Sequence, residues 1–461
     1  MSNPGEEDAT PITSVRQLAE YIAVGCKPRE DYRTGTEHEK FGFRWPGPHC
    51  PPGQEWTSPA YEPDGIRAVL ESIAAQGWEP ILDAGRLIGL KRGGASISLE
   101  PGGQFELSGA PLDTVHETAA ELHAHLSTAR DAGAALGIGF APLGFHPLAT
   151  REQMPWMPKS RYAIMRRYMQ RTGRLGLDMM LRTCTVQVNL DYSSEADMVR
   201  KLRVGMLLQP VATALFANSP FTEGKPNGLL SARAAVWRDT DPDRTGIPDV
   251  VFEDGFGFER YVEWLLDVPM YFITRDGQYI DIAGASFRDW LRGKVPALAG
   301  QTPTVGDFAD HMTTAFTEVR LKRYLEMRGA DAGSPEMMNA LPAYWIGLLY
   351  DDSALDAAEE LVRRHPWRDY AALLEQVPRL GLRTPWANGT LRDLARETLD
   401  IAMAGLRARA RHNAAGEDET LYLTPLLRIA DGAPSQAEHW LNRYQSAWNG
   451  DVTQLLAEAV T

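Results

Sequence analysis

Only three cysteines, Cys26, Cys50 and Cys184, occur in the 461 residues. Few, widely spaced and odd in number, they exclude a disulfide framework. A reducing compartment follows, with the cytoplasm as the expected location. No apolar run approaches the roughly 18–20 residues that a membrane-spanning helix requires, so no membrane partner is expected. The first residues, Met1-Ser-Asn-Pro-Gly-Glu-Glu-Asp8, lack the basic and apolar regions of a secretory signal. Positive charge is also short. The 47 Lys and Arg against 61 Asp and Glu leave a net charge of −14, without the basic surface of a nucleic-acid binder. The densest basic run, Arg407-Ala-Arg409-Ala-Arg411-His412, closes a helical pattern, where cations complement the helix dipole. Several motifs are missing too. There is no G-x-x-x-x-G-K-[ST], dinucleotide fingerprint, G-x-S-x-G, H-E-x-x-H or C-x-x-C, so a standard P-loop is excluded. The ten histidines show no zinc spacing.

What remains is an ordinary globular composition, 44% hydrophobic and 23% charged, which permits a sizeable core. Residues 1–12 read as a flexible leader, and 13–461 as a single catalytic domain whose last part is mainly helical. Helical spacing covers 13–24, the stretch after Asp64, the stretch from Asp113 or Thr114 to Leu136, and Ser194 to Phe216. It covers nearly everything after Ser334. Alternating patterns predict strands at Gly35–Phe43, Leu87–Lys91, Ser96–Glu100 and Gln104–Ser108, and from Thr183 to Asp191. Short turns between several of them imply antiparallel pairing. The class is α+β, with helices packed against a largely antiparallel sheet.

Strand periodicity then gathers chemistry. Residues i and i+2 share a face, so Glu37 and Glu39 stand side by side, and two adjacent carboxylates suit a shared Mg²⁺. Gln104, Glu106 and Ser108 share another face, and Pro101-Gly-Gly bends the chain to re-aim Glu100. Between Thr183 and Asp191 one face is apolar (Cys184, Val186, Val188, Leu190). The other (Thr183, Thr185, Gln187, Asn189, Asp191) carries short hydrogen-bonding groups suited to a polar pocket. Glu326 and Arg328 pair a carboxylate for a metal with a guanidinium for a phosphate. The near copy Glu318-Val-Arg320 carries less weight, because Glu318 and Lys322 also fit an i,i+4 helix pair. Arg161, Tyr162 and Arg233 offer further groups for substrate carboxylates.

Six ordered stretches carry a resemblance to the glutamate–cysteine ligase family of plants and many proteobacteria. They begin at Gly25-Cys-Lys-Pro, Gly35-Thr-Glu-His-Glu-Lys-Phe, Met157-Pro-Lys-Ser-Arg-Tyr, Leu175-Gly-Leu-Asp, Ala217-Asn-Ser-Pro-Phe and Val319-Arg-Leu-Lys. The resemblance implies a glutamine-synthetase-like sheet forming a funnel-like active site. It also implies ATP- and Mg²⁺-dependent joining of glutamate and cysteine through γ-glutamyl phosphate, by a monomer or homodimer. Under it, Glu37, Glu39, Glu100, Glu106 and Glu326 match metal-binding carboxylates and Arg328 a transition-state arginine. Gln187 and Asn189 match site-lining positions, and Arg161, Tyr162 and Arg233 match residues near substrate carboxylates. The cysteine pairs that serve plant members as redox switches have no counterpart here. A ligase using another amine, or a non-catalytic ATP- or amino-acid-binding protein, is the alternative on the same fold.

Overall fold

The computed structural model describes residues 8–461. The first seven positions of the expected leader lie outside the described residues. Its remainder is pinned rather than free: Ile12 N–H donates to the Pro303 carbonyl (3.0 Å), and Val305 N–H donates to that of Thr10 (2.9 Å).

One nine-stranded sheet organises the chain. Its strands are β1 (Thr34–Arg44), β2 (Glu79–Asp83), β3 (Arg86–Arg92), β4 (Ala95–Leu99), β5 (Phe105–Ser108), β6 (Ile138–Ala141), β7 (Thr185–Leu190), β8 (Val319–Leu321) and β9 (Leu325–Asp331). The order is β8-β9-β7-β1-β5-β4-β3-β2, with β6 beside the far end of β1. Every pairing in it is antiparallel. The expected meander is thus present, joined by the short turns that the Gly and Pro residues marked.

Alternation decides which groups face the core. On β7, Cys184, Val186, Val188 and Leu190 have no exposed surface. Val186 and Val188 lie opposite His38 and Thr36 of β1, which therefore point to the same, covered side. The helix Val115–Ala134 packs there, capped as expected by Thr114 in a reciprocal capping box with Glu117. Its His125 ring lies 5.3 Å from that of His38 and 5.9 Å from Phe105. Lys40, also on this side, has its Nζ 2.8 Å from His38 Nδ1, and burial pushes its amine down to about 7. The even-numbered residues of β1 are thus in the core, and the odd-numbered glutamates are on the open side.

The helices Glu195–Leu215, Pro335–Leu349 and Leu391–Arg409 belong to one large core that runs from Leu18 to Ala430. Two expectations change. Lys322 follows a strand, not a helix, and its ammonium pairs with Glu326 (2.6 Å). The strand β9 is also irregular. Met327 faces Val188 and Ala330 faces Val186, so Arg328 and Gly329 together oppose the single residue Gln187. This bulge re-aims Arg328. Among the described residues no helix is long and apolar enough to cross a membrane.

Candidate active site

The open side of the sheet centre forms the floor of a pocket whose empty space, its open mouth included, is about 710 Å³. Register builds the floor row by row. Glu39 on β1 lies between Glu106 on β5 and, through its Oε2, the Thr185 N–H at the start of β7 (2.9 Å). Glu37 lies between Ser108 and Gln187. Glu106 is almost fully buried, and it accepts hydrogen bonds from Ser98 Oγ (2.9 Å) and Ser108 Oγ (3.2 Å). Glu100 sits in the turn between β4 and β5. Gln104 ties that turn down: its Oε1 accepts from Gly102 N–H, and its Nε2 donates to the Met180 and Thr183 carbonyls. Gly102 must be glycine, because a Cβ there would lie 2.3 Å from the Leu181 carbonyl oxygen.

Four carboxylates in one pocket repel one another. Burial and then the charges of Glu106 and Glu100 push Glu39 well above the usual carboxylate range. Burial, with the charge of Glu326, also raises Glu37. A bound cation would relieve both. Among the described residues no three acidic, histidine or cysteine side chains converge closely enough to form a metal cage.

The walls are cationic and apolar. Arg161 and Tyr162, from the helix Ser160–Thr172, line one side, and the Tyr162 hydroxyl donates to the Leu99 carbonyl (2.8 Å). Arg233, from the short helix Ala232–Trp237, lines the other side, and its Nη2 donates to the Arg328 carbonyl (2.8 Å). Arg328 Nη1 reaches Gln187 Oε1 (2.7 Å) across the bulge. Met165, Met179, Met180, Trp237 and Phe316 complete the lining.

Two expected residues are placed differently. Glu326 is fully buried and does not line the pocket. Arg320, opposite it on β8, grips it with Nη2 at 2.6 and 2.8 Å, while Lys322 and Arg328 also contact it. Burial opposes its charge, yet these three cations hold the carboxyl well below the usual range. Its oxygens are taken, so it anchors arginines instead of presenting a free metal ligand. Asn189 is also set back from the lining: its Nδ2 donates to Glu37 Oε1 (2.8 Å), so it orients a carboxylate. In return the pocket gains Arg320, whose only sequence signal was the Glu318-Val-Arg320 copy. The methionines and Phe316 left no signal at all.

An antiparallel sheet whose centre carries a bank of glutamates under facing arginines is suited to binding a cation together with phosphate or carboxylate groups. Comparison with known proteins narrows that chemistry. The family model "Glutamate-cysteine ligase family 2" matches residues 33–458. The chloroplastic glutamate–cysteine ligase of Arabidopsis thaliana is 50% identical over 460 residues, covering 99% of this chain and 85% of the relative. That of Brassica juncea is 49% identical, covering 99% and 86%. A solved glutamate–cysteine ligase from Francisella tularensis, in complex with AMP, shares the fold at a TM-score of 0.55 and 13% identity, covering 93% of this chain and 87% of that one. The chain belongs to the glutamate–cysteine ligase family. The expected cytoplasmic location is overturned by the same comparison, since these close relatives are named chloroplastic. The expectation rested on the scarcity of cysteine, which does not distinguish one reducing compartment from another.

Proposed function

We propose that this pocket joins the γ-carboxylate of glutamate to the amine of cysteine with ATP and Mg²⁺, the first step of glutathione biosynthesis. The carrying observation is the bank of Glu37, Glu39, Glu100 and Glu106 facing Arg161, Arg233 and Arg328 in one pocket. The catalytic unit runs from residue 13 to the C-terminus.

Activation comes first. A γ-carboxylate oxygen of glutamate attacks the terminal phosphorus of ATP, ADP leaves, and γ-glutamyl phosphate results. The amine nitrogen of cysteine then attacks the γ-carbonyl carbon. Phosphate departs with the electron pair of the broken C–O bond, and the amine releases its proton to solvent. Carboxylates of this bank would hold Mg²⁺, one or two to an ion, and the metal would supply neutralisation of charge on the phosphate oxygens. Arg328, locked by Gln187 and Glu326, directs its guanidinium at the transferring phosphoryl group. Arg161 and Arg233 bind substrate carboxylates, and Tyr162 supports Arg161, whose guanidinium carbon lies 5.6 Å from its ring centre. Glu326 keeps Arg320 and Arg328 in place. The apolar side of the pocket excludes water from the acyl phosphate.

Purified protein given ATP, Mg²⁺ and glutamate is expected to release ADP with γ-glutamylcysteine only when cysteine is added. Equal turnover with alanine would remove cysteine as the acceptor, and no product with cysteine would remove the ligase assignment.

A further inference from the structure

Beyond Arg233 and Arg328 lies a second, smaller hollow that opens to solvent. It shares Arg233, Trp237, Phe316 and Arg328 with the reaction pocket, so these four side chains form a common wall. Its charge is different. None of the four pocket glutamates reaches it, and its one carboxylate is Glu318.

The side chain of Glu318 makes no hydrogen bond or ion pair among the described residues. Burial raises its carboxyl, while the charges of Arg233, Arg238 and Arg328 oppose that rise. These arginines are not equivalent. Arg238 is paired with Glu375, and Arg328 with Glu326 and Gln187. The Arg233 guanidinium uses one N–H for the Arg328 carbonyl, and its other N–H groups have no hydrogen-bond partner among the described residues. An unpaired carboxylate and an unsaturated guanidinium across a small hollow complement the ammonium and carboxylate of one α-amino acid. The remaining wall includes Phe316 and Leu374, which suit a short uncharged side chain.

We propose that this hollow holds the acceptor amino acid, with Arg233 taking its α-carboxylate and Glu318 its α-ammonium; Glu318 then accepts one ammonium proton, and the freed amine reaches the reaction pocket past Arg328. The proposal rests on the ligase reading and adds a place for the second amino acid.

The test compares two acceptors in the wild type and in Glu318→Gln. Cysteine needs the hollow. Hydroxylamine is neutral, has no carboxylate, and traps γ-glutamyl phosphate as a hydroxamate without it. In Glu318→Gln, the ratio of kcat/KM for cysteine to that for hydroxylamine is expected to fall at least about tenfold, the scale of one lost charge-assisted contact. Glu318→Asp should recover part of the loss. An equal fall for both acceptors, or no fall for cysteine, overturns the proposal. Should the wild type make neither product, the ligase reading fails, and calorimetric titration with cysteine then decides. Cysteine binding to the wild type but not to Glu318→Gln supports the hollow; equal binding to both, or to neither, overturns it.

Discussion

Two kinds of carboxylate, fully or partly buried, lie at the centre of the same sheet. Glu326 has three cations around it and is held ionised. In the bank of Glu37, Glu39, Glu100 and Glu106, two members are pushed upward by burial and by neighbouring carboxylates, Glu326 foremost for Glu37 and Glu106 and Glu100 for Glu39. The first arrangement is complete without a ligand, and the second is not. A completed cluster stores stability, whereas an uncompensated one stores affinity for whatever cation and phosphate enter.

Breaking the completed cluster should give the largest effect. Arg320→Met strands part of the Glu326 charge in the interior and is expected to lower the unfolding free energy by about 3–5 kcal/mol. Urea denaturation reads this directly. The double variant Arg320→Met/Glu326→Leu should recover much of the loss, and failure to recover would mean that the packing of Arg320, not its charge, was responsible. Next comes the junction of the two regions. Arg328→Ala should lower kcat about 10²–10³-fold, the usual scale for removing a group that meets developing charge. A change confined to KM would place Arg328 in ground-state binding. The smallest effect is expected inside the bank. Glu106→Gln should raise the Mg²⁺ concentration for half-maximal activity at least about tenfold, as loss of a supporting ligand partner already does. Its denaturation midpoint should hold or rise, because a repelling charge has gone.

The sequence showed one region better than the other. Period-two alternation placed Glu37, Glu39, Glu106, Gln187 and the apolar face of β7 correctly, because each property depends only on neighbours within one strand. Glu326 and Asn189 were misjudged for the opposite reason. What they touch is set by the register between strands, which puts Arg320 across from Glu326 and leaves Asn189 beside Glu37. The wall of Met165, Met179, Met180 and Phe316 comes from segments far apart in the chain, and such residues look like ordinary core in a sequence. The identities of the substrates came from resemblance; no spacing of residues distinguishes cysteine from another amine.

The bulge in β9 has one more consequence. Glu326 and Asp331 are five positions apart, yet both project toward the side of Asn189 and Thr185. Plain alternation would send them to opposite sides, so the extra residue works as a phase shifter between two anchors. At one end Glu326 gathers its cations. At the other, Asp331 accepts from Asn218 N–H (2.9 Å), Ser219 Oγ (2.6 Å) and Ser231 Oγ (2.8 Å), in the segment that leads into the helix bearing Arg233. Gly329 occupies the shifter, and its N–H donates to Gln209 Oε1 (3.1 Å). The strand therefore sets the length between Arg328 and Arg233 like a ruler with one fixed notch. Removing a single residue there would leave both arginines in the chain while taking one of them out of the pocket.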